Sequence, residues 1–187
     1  PSEQRTNPPA VQLKPAAAKK TWQAMIHAHA RMYDALHAED GGDADGDGKN
    51  TRVGLAYNFT PVRPKNPENP KDVEAAENLS YLYNEAFIDP MTEGGYDPNL
   101  DGEGERREDL ADRLDWIGIN YYATVRVEGT GDSSLPDFSP LLTANLLSLE
   151  IQYDKPEGMT EMLGWLDETY DRPIIVTENG AGLGSDA

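Results

Sequence analysis

The stretch Pro173-Ile174-Ile175-Val176-Thr177-Glu178-Asn179-Gly180 decides the reading of this chain. Ile-Ile-Val is β-branched and apolar without alternation, the pattern of a short strand covered on both faces. Asn179-Gly180 is a turn dipeptide, so a strand over roughly 173–177 is expected to stop there. Glu178 is then left at the strand's C-terminal tip, where α/β barrels keep their chemistry. A single glutamate at a strand end is as a rule merely solvated, so its weight depends on what accompanies it.

Leu114-Asp115-Trp116-Ile117-Gly118-Ile119-Asn120-Tyr121-Tyr122 has the same form, an apolar strand over about 115–122 that ends in polar and aromatic residues able to line a pocket. A third strand is expected at 52–57. The region from Ala16 to Ala38 reads as a helix, with Trp22, Met25, Ile26, His29, Tyr33 and Leu36 at three- and four-residue spacing. A second helix is expected from Asp72, as a cap or first-turn acid, to Ile88, with Val73, Ala76, Leu79, Tyr83 and Phe87 apolar. A third runs from Glu157 to Tyr170, with Met159, Met162, Leu163 and Leu166 inward. Helix alternating with strand is the order that parallel α/β folds require. It does not by itself separate a barrel from an open sheet. The connections 89–112 and 123–155 are rich in Gly, Pro, Asp and Ser.

Together the two strand segments resemble glycoside hydrolase family one, the retaining β-glucosidases and β-galactosidases with a (β/α)8 barrel. Thr177-Glu178-Asn179-Gly180 matches that family's nucleophile motif, and Trp116-Ile117-Gly118-Ile119-Asn120-Tyr121-Tyr122 its sixth-strand motif. Similarity extends to Asn7-Pro8-Pro9 with the helix containing Ala28-His29-Ala30-Arg31-Met32-Tyr33-Asp34, and to Arg52-Val53-Gly54-Leu55-Ala56-Tyr57, which looks like strand five. It continues through Phe87-Ile88-Asp89-Pro90, Gly95-Tyr96, Pro156-Glu157-Gly158-Met159 and Arg172-Pro173, and is closest to archaeal members. The resemblance implies an α/β fold: a partial (β/α)8 TIM barrel from about helix four to just after strand seven. A single domain over 1–187, incomplete at both ends, is expected, since a full barrel takes about 250 residues.

Retaining glycoside hydrolysis needs two carboxyl groups about 5–5.5 Å apart, one attacking the anomeric carbon and one serving as acid and base. The resemblance makes Glu178 the nucleophile, Tyr122 its hydrogen-bonding partner and Asn120 a lining residue of the sugar subsite. The family's acid/base motif, Thr-x-Asn-Glu-Pro, is absent. Asn66-Pro67-Glu68-Asn69-Pro70 has the wrong order, and Asn84-Glu85-Ala86 lies in a helix and lacks the Pro. The family's tryptophan-rich strand-eight segment is also absent, and Glu150-Ile151-Gln152-Tyr153-Asp154-Lys155 replaces the expected Gly-Trp before Pro156. The implied activity is cofactor-free hydrolysis of terminal β-linked sugars, with the acid/base glutamate outside the chain. The alternative is a catalytically inactive fragment: a remnant, a binding module or one subunit of a split enzyme.

Sixteen Lys and Arg stand against 34 Asp and Glu, a net charge of -18 with a pI near 4.3. That excess repels nucleic acid phosphates and anionic membranes, so neither is expected as a partner. β-Glycosides are, with a homo-oligomer or a complementing half as a protein partner. The acids are spread over loops and helix faces, the pattern of a salt-adapted surface, which points to a halophilic, haloarchaeal source. No stretch approaches the roughly 20 apolar residues of a membrane span. With no visible leader, a cytoplasmic location is expected, and with no cysteine, disulfides are excluded.

Three lesser motifs read as structural. His27 and His29 stand two apart on a helix and do not share a face, and no acid or cysteine joins His27, His29 and His37 at ligand spacing. Asp43-Ala44-Asp45-Gly46-Asp47-Gly48 has calcium-loop acids at positions one, three and five, but Gly54 stands where the bidentate glutamate belongs, so a solvated loop is expected. Asn58-Phe59-Thr60 and Asn78-Leu79-Ser80 fit the glycosylation tripeptide, which is common by chance.

Overall fold

The computed structural model describes residues 14–44, 46–48 and 50–180. Asn7-Pro8-Pro9 and Asp45 of the acidic loop lie outside them. In chain order the elements are α1 (Pro15–Glu39), β1 (Gly54–Asn58), β2 (Val62–Pro64), α2 (Pro70–Ser80), a π-helical turn (Tyr81–Glu85) and α3 (Asp89–Thr92). Next come β3 (Gly95–Tyr96), β4 (Glu105–Arg106), β5 (Trp116–Tyr121), β6 (Thr124–Val127), β7 (Glu150–Gln152), α4 (Glu157–Tyr170) and β8 (Ile174–Asn179).

The three strands read from the sequence form one parallel sheet in the order β1-β5-β8. Each is joined to the next by a helical crossover, and their C-terminal tips share one edge. Gly54 is required where β1 meets β5, because a Cβ there would fall 2.1 Å from the Trp116 ring. One face of this sheet is roofed by helices. Ile117, Ile119 and Tyr121 of β5 pack with Ile26 and Ala30 of α1, Met162, Leu166 and Tyr170 of α4, and Phe59, Phe87 and Ile88.

A second sheet, β2-β6-β7, has no counterpart among the strands expected from the sequence. It sits beyond the strand tips, where Val127 packs on Ala75 and Ala76 of α2. Its strands are three or four residues of mixed polarity, such as Val62-Arg63-Pro64, too short to show a period.

Five expectations need correction. The segment Ile174-Ile175-Val176 is not covered on both faces: Ile175 is 47% and Val176 51% exposed. Within these residues β8 pairs only with β5, and Ile174 alone among its apolar residues joins the helix-covered core. On α1, Met25 and Leu36 turn outward, and the inward line is Trp22, Ile26, Ala30, Tyr33 and His37. The strong polar anchors of that line lie opposite: Tyr33 Oη donates to Asp115 Oδ1 at 2.8 Å and His37 Nε2 lies 3.0 Å from Asp115 Oδ2. The helix expected over 72–88 begins earlier, at Pro70. Asn69 caps it, its side chain accepting from the Lys71 N–H at 3.2 Å, and Asp72 is the acid of its first turn. It also does not run straight through. The buried Asn84 accepts from Thr60 N at 3.0 Å and donates to Thr60 O at 2.9 Å, and the chain widens into the π turn around it. Tyr83, expected on the apolar face, is 38% exposed.

Candidate active site

The parallel register assembles a row of side chains across the strand tips. Asn58 of β1 stands beside Asn120 of β5, and Asn120 beside Glu178 of β8. The pairing of β5 with β8 is regular from Ile117↔Ile174 to Ile119↔Val176 and then jumps to Asn120↔Glu178. Thr177 is therefore an extra residue in β8, a β-bulge at the end of the strand.

Tyr122, directly after β5, donates its phenolic hydrogen to Glu178 Oε2. Thr177 Oγ1 donates to Asn120 Oδ1 at 2.5 Å. All three residues singled out in the sequence, Asn120, Tyr122 and Glu178, thus converge at one edge of the sheet. Asn58 donates from Nδ2 to Tyr83 Oη at 2.9 Å, while its Oδ1 is buried without a hydrogen-bond partner among the described residues. Burial pushes the Tyr83 hydroxyl above its ordinary pKa, against the bonds from Thr60 and Asn58 that lower it.

Two clefts flank Tyr122. One, of about 570 Å³, runs between Tyr121, Tyr122, Tyr153, Met159 and Asn179. The other, of about 470 Å³, is apolar and lies between Asn58, Val62, Leu79, Tyr83, Val125, Leu149 and Ile151, and it too is walled by Tyr122 and Tyr153. The sequence does not mark Tyr153 as a site residue, although it stands in the segment that replaces the family's Gly-Trp. Nor does it mark Thr177 as more than a part of the nucleophile motif.

The residues set aside as structural are placed so. His29 Nε2 lies 2.7 Å from Arg113 O, His37 meets Asp115, and the His27 ring stands edge-on to Tyr96 at 5.4 Å. Among the described residues no three His, Cys, Asp or Glu converge as a metal would need. Asp43 accepts backbone N–H bonds from Gly46 at 2.7 Å and Gly48 at 2.9 Å, and Asp47 pairs with Arg52. Glu85 lies in the π turn, and Asn66 with Asn69 binds Asp72 at the start of α2. Asn78 donates to Thr143 Oγ1 at 3.3 Å. Among the described residues no helix is long and apolar enough to cross a membrane.

The sequence model of Glycosyl hydrolase family 1 matches residues 4–187. A β-galactosidase of Pyrococcus woesei is 34% identical, over 92% of this chain and 37% of its own length. A β-galactosidase of Sulfolobus acidocaldarius is 33% identical, over 83% of this chain and 30% of its own. The solved β-glycosidase from Pyrococcus horikoshii superposes with a TM-score of 0.67 at 26% identity, covering 93% of this chain and 37% of that one. An aphid myrosinase, at 21% identity and a TM-score of 0.69, shares the fold. The chain spans about a third of the length of these β-galactosidases. It belongs to glycosyl hydrolase family 1 and carries part of a (β/α)8 barrel.

Proposed function

We propose, from that membership, that this chain forms strands five to seven of a retaining β-glycosidase and supplies its nucleophile, Glu178. The observation that carries the proposal is the Tyr122–Glu178 hydrogen bond at the C-terminal edge of parallel strands, where barrel enzymes hold their catalytic groups. The Tyr122 hydroxyl fixes Oε2, and the other carboxylate oxygen attacks the anomeric carbon of a terminal β-linked sugar. The glycosidic C–O bond breaks, and the leaving oxygen takes a proton from a second carboxyl group. Water activated by that second group then releases the sugar and frees Glu178. Asn120 lines the sugar subsite. The second carboxyl group belongs to a Thr-x-Asn-Glu-Pro segment that this sequence does not contain. Likeness to β-galactosidases and a β-glucosidase supports glucose- or galactose-type substrates.

A second reading is that of a subunit completed by another chain: Ile175 and Val176 are exposed and, within the described residues, β1 and β8 each pair on one side, an edge that strands of the same or of another polypeptide would cover. One experiment addresses both. The chain is mixed with a polypeptide carrying the Thr-x-Asn-Glu-Pro strand and the remaining barrel strands, and hydrolysis of 4-nitrophenyl β-D-glucoside is followed. Recovered hydrolysis that Glu178→Gln reduces by several orders of magnitude supports the nucleophile. Recovered hydrolysis that Glu178→Gln leaves near normal removes it. Absence of hydrolysis leaves the inactive-fragment reading standing. Independently, 2-deoxy-2-fluoro-β-D-glucosyl fluoride, whose fluoride departs without acid assistance, is expected to label the Glu178 peptide in the mass spectrum.

A further inference from the structure

Side chains alternate faces along a strand, so a one-residue slip moves every later side chain to the opposite face. On β5, Ile117, Ile119 and Tyr121 face the helices, and Gly118, Asn120 and the adjoining Tyr122 face the other way, toward the barrel's inner side. Ile174 and Val176 pair with Ile117 and Ile119 and so share the helix side, while Ile175 pairs with Gly118 on the inner side. Had the register continued unbroken, Thr177 would stand opposite Asn120 and Glu178 opposite Tyr121. Glu178 would then share the face of Tyr121, a buried residue packed so closely on α4 that a Cβ on Gly158 would lie 2.2 Å from its hydroxyl oxygen. A carboxylate there would stand where Asn179 now pairs with Tyr121, on the face away from Asn120 and the inner side of the sheet.

The bulge at Thr177 prevents this. With the extra residue, Glu178 pairs with Asn120, and the adjacent Thr177 and Glu178 both reach the inner side: Thr177 to Asn120, and Glu178 to Tyr122, two residues beyond Asn120. A bulge needs a contact that holds the extra residue in place, since it has lost its pairing partner. The Thr177 hydroxyl supplies one, donating to Asn120 Oδ1 at 2.5 Å. With Oδ1 engaged, the Nδ2 group remains as a donor toward the inner side.

We propose that Thr177 is a positioning residue: its bulge turns Glu178 from the helix face to the substrate face, and its hydroxyl locks the bulge and presents the Asn120 amide as a hydrogen-bond donor to a sugar hydroxyl. The consequence for the reaction rests on Glu178 being the nucleophile; the geometry does not.

The test uses the 187-residue chain with tyrosine labelled at Cζ and asparagine at its side-chain nitrogen, observed by NMR. Glu178→Ala marks where the Tyr122 Cζ resonance lies when its acceptor is gone. Thr177→Val keeps the β-branched shape and removes the hydroxyl. It is expected to move the Tyr122 resonance toward the Glu178→Ala position and to shift the Asn120 side-chain amide. Thr177→Ser, which restores the hydroxyl, is expected to return both to their wild-type positions. Thr177→Ala reads the same resonances should the valine variant not fold. A Tyr122 resonance unmoved by loss of the hydroxyl overturns the inference, as does a serine variant that behaves like the valine one. Failure of the nucleophile assignment shows elsewhere, as absence of a covalent sugar on Glu178, and leaves these resonances as they are.

Discussion

At the residue scale, two short polar contacts hold the two ends of the sheet's middle strand. At the C-terminal end Tyr122 donates to Glu178 across 56 residues of chain. A hydrogen bond to a charged group contributes about 1.5–3 kcal/mol, so Tyr122→Phe in the reconstituted enzyme is expected to lower kcat by roughly 10- to 100-fold. Steady-state kinetics on an aryl β-glucoside checks this, and unchanged turnover would detach Tyr122 from the chemistry. At the N-terminal end, Asp115 accepts from Val53 N at 2.7 Å, from Tyr33 Oη at 2.8 Å and from His37 Nε2 at 3.0 Å. Burial raises the Asp115 carboxyl, but the donors outweigh it and hold the pKa below the ordinary value. Tyr33, pushed up to about 12 mainly by burial and then by Asp115 itself, stays a donor across the working range. A carboxyl lowered on folding stabilises above its unfolded pKa of about 3.9 and loses that contribution as pH falls through the lower folded value. Asp115→Asn is therefore expected to unfold at lower urea than wild type at pH 7, by about 1.5–3 kcal/mol. The two proteins should converge as pH falls below about 4. A gap that stays constant down to pH 2 would mean that the charge is not what the site uses.

At the element scale, two glycines make opposite predictions. Gly129 lies just past β6 where that strand meets the first turn of α2: a Cβ would lie 2.0 Å from Lys71 O, and the Gly129 N–H donates to Asp72 Oδ1 at 3.0 Å. Backbone on both sides cannot yield, so Gly129→Ala is expected to lose about 1–3 kcal/mol in urea unfolding. Gly164 lies on the exposed face of α4 with nothing within 4 Å of a Cβ, and Gly164→Ala is expected to add about 0.5–1 kcal/mol. The difference between these two sites parallels what the sequence discloses. Helices α1 and α4 are legible to within a residue, because three- and four-residue apolar spacing along both is a local signal. The segment 70–88 is not, because its π turn is set by Asn84 reaching Thr60, a contact made only in the folded chain. The sheet β2-β6-β7 is invisible in the sequence for a like reason, since such short strands exist by pairing and not by pattern. At the site, Asn120, Tyr122 and Glu178 are carried by motif resemblance, whereas the bulge that brings them together leaves no mark in composition. The partnership of β5 and β8, hence the register slip at Thr177, is known only once the strands are side by side.

At the scale of the whole molecule, charge and exposed apolar surface pull in opposite directions as salt rises. The net charge of -18 opposes the compact state and keeps copies apart. Ile175 and Val176, on the outermost strand of the sheet, and Met25, Met32 and Leu36 along α1 favour association once that repulsion is screened. Exposed charges farther apart than the Debye length are largely screened from one another, and that length is about 8 Å at physiological ionic strength and about 3 Å at 1 M. An acidic protein of ordinary kind thus gains most of what screening can give by about 1 M, and above that its apolar surface drives it to associate. A surface adapted to concentrated salt behaves otherwise, because its carboxylates stay hydrated, so the melting temperature is expected to keep rising well beyond about 1 M KCl while the chain stays soluble. Scanning calorimetry and light scattering along a KCl series separate the two. A melting temperature that levels off by about 1 M KCl, with scattering that grows above it, would mean that the acidic surface serves solubility alone.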